Sequence, residues 1–334
     1  MSTAENAKLQ YEAGQQAVAM TLLTDSGDHK TFKSAATLWS GRSGYAPVVR
    51  PNGLLTGGAA TPDSAAVNDI VDVAALTCNL AGVVVSVAAG ELTASRGTGS
   101  DVCRITSLTV TSAGALAAVA GTAGPTFSET RGANGGPPFI PVGSIEIGQV
   151  RLGSIVAAPV TAAEVFQVAG MHVERADLYE VNHGPTVVGG VETVPGGSVS
   201  LYDALPLIHT GSLPKQVYAS YAAPLFADIS LASDFTSPET SHSVSSTQVY
   251  GTTLGATSAS LGQGGFTAYL ENGVSDALVG LKNSLLWFKF SPDRYASPYL
   301  LTQGTLGIAR TFPAGDNIQA ACTISAAKAA IEVS

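Results

Sequence analysis

Five histidines, three cysteines and a few carboxylate pairs are the residues of this 334-residue chain whose types could support chemistry. Metal-binding histidines recur at i, i+4 on a helix or sit near cysteines at ligand spacing. His29, His172, His183, His209 and His242 do neither. His209 ends an apolar run, Pro206-Leu207-Ile208, just before Thr210-Gly211. That setting suits a hydrogen-bonded structural histidine. Cys78, Cys103 and Cys322 are an odd number without metal spacing, and read as buried free thiols of a reducing compartment.

Two carboxylate pairs, Asp276 with Glu271 and Asp293 with Asp316, have the residue types for glycoside cleavage. Capping or turn roles account for both more simply. Gly262-Gln263-Gly264-Gly265 and Gly189-Gly190 lack the Lys-Ser/Thr that completes a phosphate loop. Ser243-Val244-Ser245-Ser246 lacks the flanking glycines of a nucleophile elbow. The expectation is a protein that is not an enzyme, with no catalytic, cofactor-binding or metal-ligating residue and no cofactor.

Charged residues make up 12% of the chain, about half the roughly 25% of an ordinary soluble domain. Ser, Thr, Gly, Ala, Asn and Gln take their place. Charge keeps soluble proteins apart, so this surface points to an assembly. The formal net charge of −9 comes without a basic cluster, the densest grouping being Arg294 with Lys282 and Lys289. Specific nucleic-acid binding, which needs several cations on one face, is not expected. Met1 to Gln16 is polar and carries Glu5 and Glu12, unlike a signal peptide, and no apolar run is long enough for a membrane helix. A cytoplasmic site of synthesis is expected.

The elements that would position these residues are mainly strands. Ala4 to Ala19 is helix-compatible, interrupted at Gly14. From Asp63 to Ser128 the chain is rich in Ala, Val, Thr, Ser and Gly, with Phe127 its one aromatic. Strand patterns at Val83–Val87 and Leu108–Thr111 suggest a small immunoglobulin-like β-sandwich. It closes at the Gly/Pro-rich stretch Gly132 to Pro138. Beyond it, Ile145 and Ile147 share one face, then Val150 and Leu152 another, which predicts a β-bulge at Gly148. Further strands are expected at Glu164–Val173, two around Pro224 within Val217–Phe235, one at Phe266–Leu270 ending in the Asn272-Gly273 turn, and one at Leu286–Phe290. The last pair, Leu300–Arg310 and Ile318–Ala326, should turn at Phe312–Asp316 on Gly315. Ala277, Leu278, Leu281 and Leu285 fall at helical spacing behind Ser275, predicting one short packed helix.

The run Leu286-Trp287-Phe288-Lys289-Phe290-Ser291-Pro292-Asp293-Arg294, with Ser297-Pro298-Tyr299 and Gln303 through Asp316, resembles the major tail proteins of long-tailed bacteriophages. Gly136 through Val150 resembles them too, so the likeness covers roughly residues 136–334. It implies a mainly β chain of the tail-tube β-sandwich/barrel type with one short helix and the small appended module. Residues 1–57 would form an N-terminal arm and the start of the tube domain. Residues 58–135 would be an inserted, outward-projecting module, and 136–334 the main tube-forming domain. On that footing, removal of 63–128 is expected to leave assembly intact.

The resemblance further implies hexameric rings stacked into a tail tube, contacts with other phage tail proteins, and double-stranded DNA passing through the lumen without specific binding. The chain would reside in the virion tail after assembly in the host bacterial cytoplasm, with no membrane partner. Two other readings share the composition. One is another virion component, a capsid decoration or tail-tip protein. The other is a carbohydrate-binding surface adhesin, which would want exposed aromatic platforms on residues 63–128.

Overall fold

Period-two burial marks strands such as Gly264–Tyr269 and Gln319–Ala326, and the architecture is mainly β, built of antiparallel sheets. The computed structural model describes residues 4–167, 179–188, 191–250 and 252–333. The largest sheet has nine strands. From one end it runs Ala232–Thr236, Gly264–Tyr269, Gln319–Ala326, Tyr299–Thr311, Leu285–Ser291, Lys8–Leu22, Val217–Asp228 and Val48–Pro51, with Ile331–Val333 added beside Tyr299–Thr311. Among the described residues no helix is long and apolar enough to cross a membrane.

The N-terminal segment is a strand, Lys8–Leu22, and the helix expected over Ala4–Ala19 is absent. Its start pairs on both sides: Lys8–Tyr11 with Phe288–Ser291, and Gln10 onward with the strand ending at Asp228. Leu9 and Tyr11 are buried in the C-terminal core. Two ladders satisfy the backbone and bury alternate side chains, and that outweighs a weak helical propensity. The ladder to Phe288–Ser291 stops at Tyr11. Just there the fully buried carboxylate of Glu12 accepts the Trp287 backbone N–H at 3.2 Å, the Ser40 hydroxyl at 2.5 Å and the Gln15 amide at 2.8 Å. Past a register shift between Glu12 and Gly14 the strand continues with Val217–Asp228 alone. The same strand thus runs from the C-terminal core to a second core built on Phe32, Trp39, Val199 and Tyr221, where Trp39 stacks on Tyr221 at 4.8 Å.

The C-terminal strands form where the pattern places them. Phe266 and Ala268 are buried with Leu286, Phe288, Leu306, Ile308 and Ile324 in one core. Gly273 and Gly315 occupy left-handed turn positions at φ 73° and 81°, a conformation that costs glycine little. Two expectations need correction here. Val217–Phe235 does hold two strands, Val217–Asp228 and Ala232–Thr236, but the break falls at 229–231 and not at Pro224, which pairs opposite Gln15 where the strand has a single neighbour, so its missing N–H breaks no second ladder. The helix over Ser275–Leu286 shrinks to a 3₁₀ turn, Val279–Leu281. Asp276 turns its carboxylate back to accept the N–H groups of Glu271 and Gly273, at 2.8 and 2.7 Å, instead of opening a helix. Leu278 and Leu281 still reach the core from that turn.

A third core gathers Leu54, Val71, Val73, Leu76, Leu108, Val110, Ile145, Ile147, Val150, Leu152 and Val160 among three short sheets. The predicted bulge is present: Leu108 pairs with Gly148 and Thr109 with Glu146, leaving Ile147 as the extra residue. That insertion lets Ile145, Ile147, Val150 and Leu152 all enter one core despite their change of phase. The boundary expected between 135 and 136 therefore cuts through a core. The strand Ile145–Leu152 is hydrogen-bonded to Arg104–Val110, inside the supposed insert. Removing 63–128 would strip that partner strand away, so the excision expected to be harmless would expose the apolar side of Ile145–Leu152. Of the segment Glu164–Val173, Val165–Phe166 is a short strand and the part from Val168 lies outside the described residues.

Candidate functional site

The residues with chemical potential are dispersed and mostly committed to structure. His209 is fully buried, and its Nδ1 lies 3.1 Å from the Pro141 carbonyl oxygen. Burial holds its pKa below the ordinary histidine value, so the ring stays neutral near pH 7. His29 pairs with Asp25 at 2.6 Å, His242 lies on an exposed strand, and His172 lies outside the described residues. Asp276 is held below its usual pKa first by the Glu271 N–H and then by neighbouring backbone donors. That is the pattern of a turn-forming carboxylate. The recorded hydrogen bond between Asp276 and Glu271 runs from the Glu271 backbone N–H, at 2.8 Å.

All three cysteines are free and buried, as their spacing predicts. Burial raises the Cys78 thiol and pushes Cys322 up to about 12. A thiolate is the reactive form, and neither residue holds one at neutral pH. In native protein all three should resist a thiol reagent such as DTNB and react together on unfolding in denaturant. Fast titration of one native thiol would contradict this burial.

Sequence reading missed one cluster. Carboxylate oxygens of Asp63, Asp72 and Glu91 all lie within 4.8 Å of one another. Asp72 and Glu91 are opposite each other across a ladder, which residues nearly twenty positions apart do not announce. Two of the three already serve the backbone: Asp63 accepts the Val67 N–H at 2.6 Å, and Asp72 the Ser64 N–H at 3.1 Å.

What distinguishes the surface is unpaired β structure. Thr240–Val249 and Thr252–Leu261 form a two-stranded hairpin in register from Thr240↔Leu261 to Val249↔Thr252. Side chains directly opposite share a face. Ser241 with Ser260 and Ser243 with Ser258 make one face of hydroxyls, joined across the strands at 2.9 and 2.7 Å. Thr240 with Leu261, His242 with Ala259, and Val244 with Thr257 make the other. Val244 is 76% exposed, and Tyr250 at the tip is fully exposed. Residues 240–261 contain no Asp, Glu, Lys or Arg. An isolated two-stranded ribbon is marginal in water, and bare strand edges ordinarily carry charge against pairing. This one has neither protection.

No family model matches the chain, and no curated protein matches its sequence. Physical features of the surface are therefore what bear on function. Among the described residues the end strands of the nine-stranded sheet, Ala232–Thr236 and Val48–Pro51, have no further strand partner. Beside the first end lies a groove of about 750 Å³. Leu9, Ile229, Phe235 and Phe290 line it, with Phe235 and Phe290 stacked at 4.4 Å. Lys8 and Asp228 on its border pair at 3.1 Å. Arg294 ties the N-terminal residues alongside through the carbonyls of Glu5, Asn6 and Ala7. Clustered nucleophile, base and oxyanion donors do not occur in this groove.

Proposed function

We propose that this chain is a structural, self-assembling protein: a tail-tube subunit of a long-tailed bacteriophage, built as a tail-tube-type β domain with a small immunoglobulin-like module. Its rings of six would stack around a channel, meet other tail proteins at the ends, and pass double-stranded DNA. The observation that carries this reading is the exposed, uncharged two-stranded hairpin, together with a nine-stranded sheet whose end strands have, among the described residues, no further strand partner. Such edges are a liability on a monomer and become pairing surfaces when copies close a ring or extend a filament. The low charge over the whole chain supports dense self-contact. The net charge of −9 supports passage of a polyanion without adhesion.

Negative-stain electron microscopy of the purified protein tests the reading. Hollow tubes or six-fold rings are expected as concentration rises. A decoration or tip protein would give no filament, and a chain that stays monomeric at high concentration would refute self-assembly.

A further inference from the structure

His209 sits where two remote segments of the chain meet. Its strand, Leu207–His209, turns through Gly211 and Ser212 into Leu213–Pro214, and Lys215 follows. The facing segment is Pro138–Pro141, whose first carbonyl accepts from Arg131. Ile140 and Ile208 join the two: the Ile140 N–H donates to the Ile208 carbonyl at 2.9 Å, and the Thr210 N–H to the Ile140 carbonyl at 3.0 Å. Among the described residues these two isoleucines are the whole buried cluster, with Val119 half-buried at its border. It is far smaller than the three cores, so this seam is the easiest of the four to open.

The imidazole at the centre of this seam is fully buried. Nδ1 lies 3.1 Å from the Pro141 carbonyl oxygen, which can only accept, so the neutral ring carries its proton on Nδ1. Nε2 is then a bare acceptor, and among the described residues it has no hydrogen-bond partner. The charged side chains acting on the ring are both cationic, Arg131 and the buried Lys215. Leu207–Pro214, Pro138–Pro141 and Leu116–Ala120 carry no other ionisable side chain. Glu146, the counter-charge of Arg131, is committed to that pair and to Ser107 and Gln149. A proton on Nε2 is therefore a third cation in a buried seam, with no acceptor for its N–H. We propose that protonation of His209 releases the Leu207–Pro214 hairpin from Pro138–Pro141, which makes this seam a mild-acid latch. Release returns the new charge to water. Burial holds the pKa of the closed form below the ordinary 6.5, so the closed seam is fully favoured above pH 6.5 and loses ground below it. The open form gains about tenfold per further pH unit until the buried value is reached. The latch needs one copy of the chain only, and so stands apart from the assembly reading.

Hydrogen exchange of the full chain at pH 7.5 and 5.5, corrected for the intrinsic pH dependence of exchange, tests the latch. The amides of Ile140 and Thr210 should lose protection about tenfold over that interval, the ratio that an open-state value of 6.5 gives. Amides of Gly264–Tyr269, paired in the C-terminal core, should keep theirs. His209→Asn retains a nitrogen donor for the Pro141 carbonyl and removes the titrating group, so its seam should be equally protected at both pH values. Unchanged protection in the unsubstituted chain would overturn the latch, and so would an equal loss in the asparagine variant. Loss spread evenly over the cores would overturn it too, because the seam would then not open by itself. The measurement on the unsubstituted chain decides the first and third points even if the variant fails to fold.

Discussion

Replacing Glu146 with alanine should lower the unfolding free energy by about 3–5 kcal/mol, the range for removing one member of a buried ion pair. The Glu146 side chain is fully buried and that of Arg131 is 13% exposed. Their Nη2–Oε2 separation is 2.5 Å. The same carboxylate accepts the Ser107 hydroxyl at 2.5 Å and the Gln149 amide at 3.1 Å. Alanine would leave a guanidinium without its counter-charge and two further donors without an acceptor. Arg131 keeps the Pro138 carbonyl as a partner, which moderates the loss. Glu146→Gln should be milder, since an amide oxygen still accepts while the negative charge is gone. Glu129 provides the control: it pairs with Arg151 at 2.6 Å but its side chain is 78% exposed. Solvent screening limits Glu129→Ala to about 1 kcal/mol or less. Urea unfolding of the three variants at neutral pH measures the ranking. Equal losses at 129 and 146 would show that the buried network is not integral to the native core.

Excising residues 240–261 and joining Glu239 to Gly262 through a short glycine turn should abolish assembly while the subunit stays folded. The join is feasible because Gly262 already donates its N–H to the Glu239 carbonyl at 2.9 Å, so the hairpin leaves from two adjacent points. The hairpin contributes no residue to any of the buried clusters, and its removal strips no core. Unchanged far-ultraviolet circular dichroism per folded residue and an unchanged denaturation midpoint would report an intact subunit. Sedimentation velocity should then show a monomer at concentrations where the full chain gives large species. Assembly that survives excision would move the contact to the sheet ends or the small module.

Local chemistry explains why some of this was legible before any coordinates. Strict alternation at Phe266, Ala268 and Leu270, and glycine at 273 and 315, follow from side-chain period and backbone sterics within a few residues. The bulge at Gly148 was readable because a change of apolar phase inside one strand has few other solutions. The cysteines and His209 took the roles that their spacing and surroundings implied.

The misreadings arise where a remote partner decides the outcome. Lys8–Leu22 is a strand because Phe288–Ser291 and Val217–Asp228, more than 190 positions away, supply its hydrogen bonds. Ser275–Leu286 is not a helix because Asp276 binds backward to Glu271 and Gly273. The break at 135 was a true feature of composition, but Ile145–Leu152 crosses it to pair with Arg104–Val110. By itself the sequence determined the strand-rich class, the turns, the inert cysteines and the scarcity of charge, because each depends on residue type or near neighbours. Only the tertiary structure decided which strands share a core, that the Thr240–Leu261 hairpin stands apart from the larger sheets, and that a groove holding Phe235 and Phe290 flanks a sheet end. Those depend on long-range pairing, whose partners no local pattern specifies.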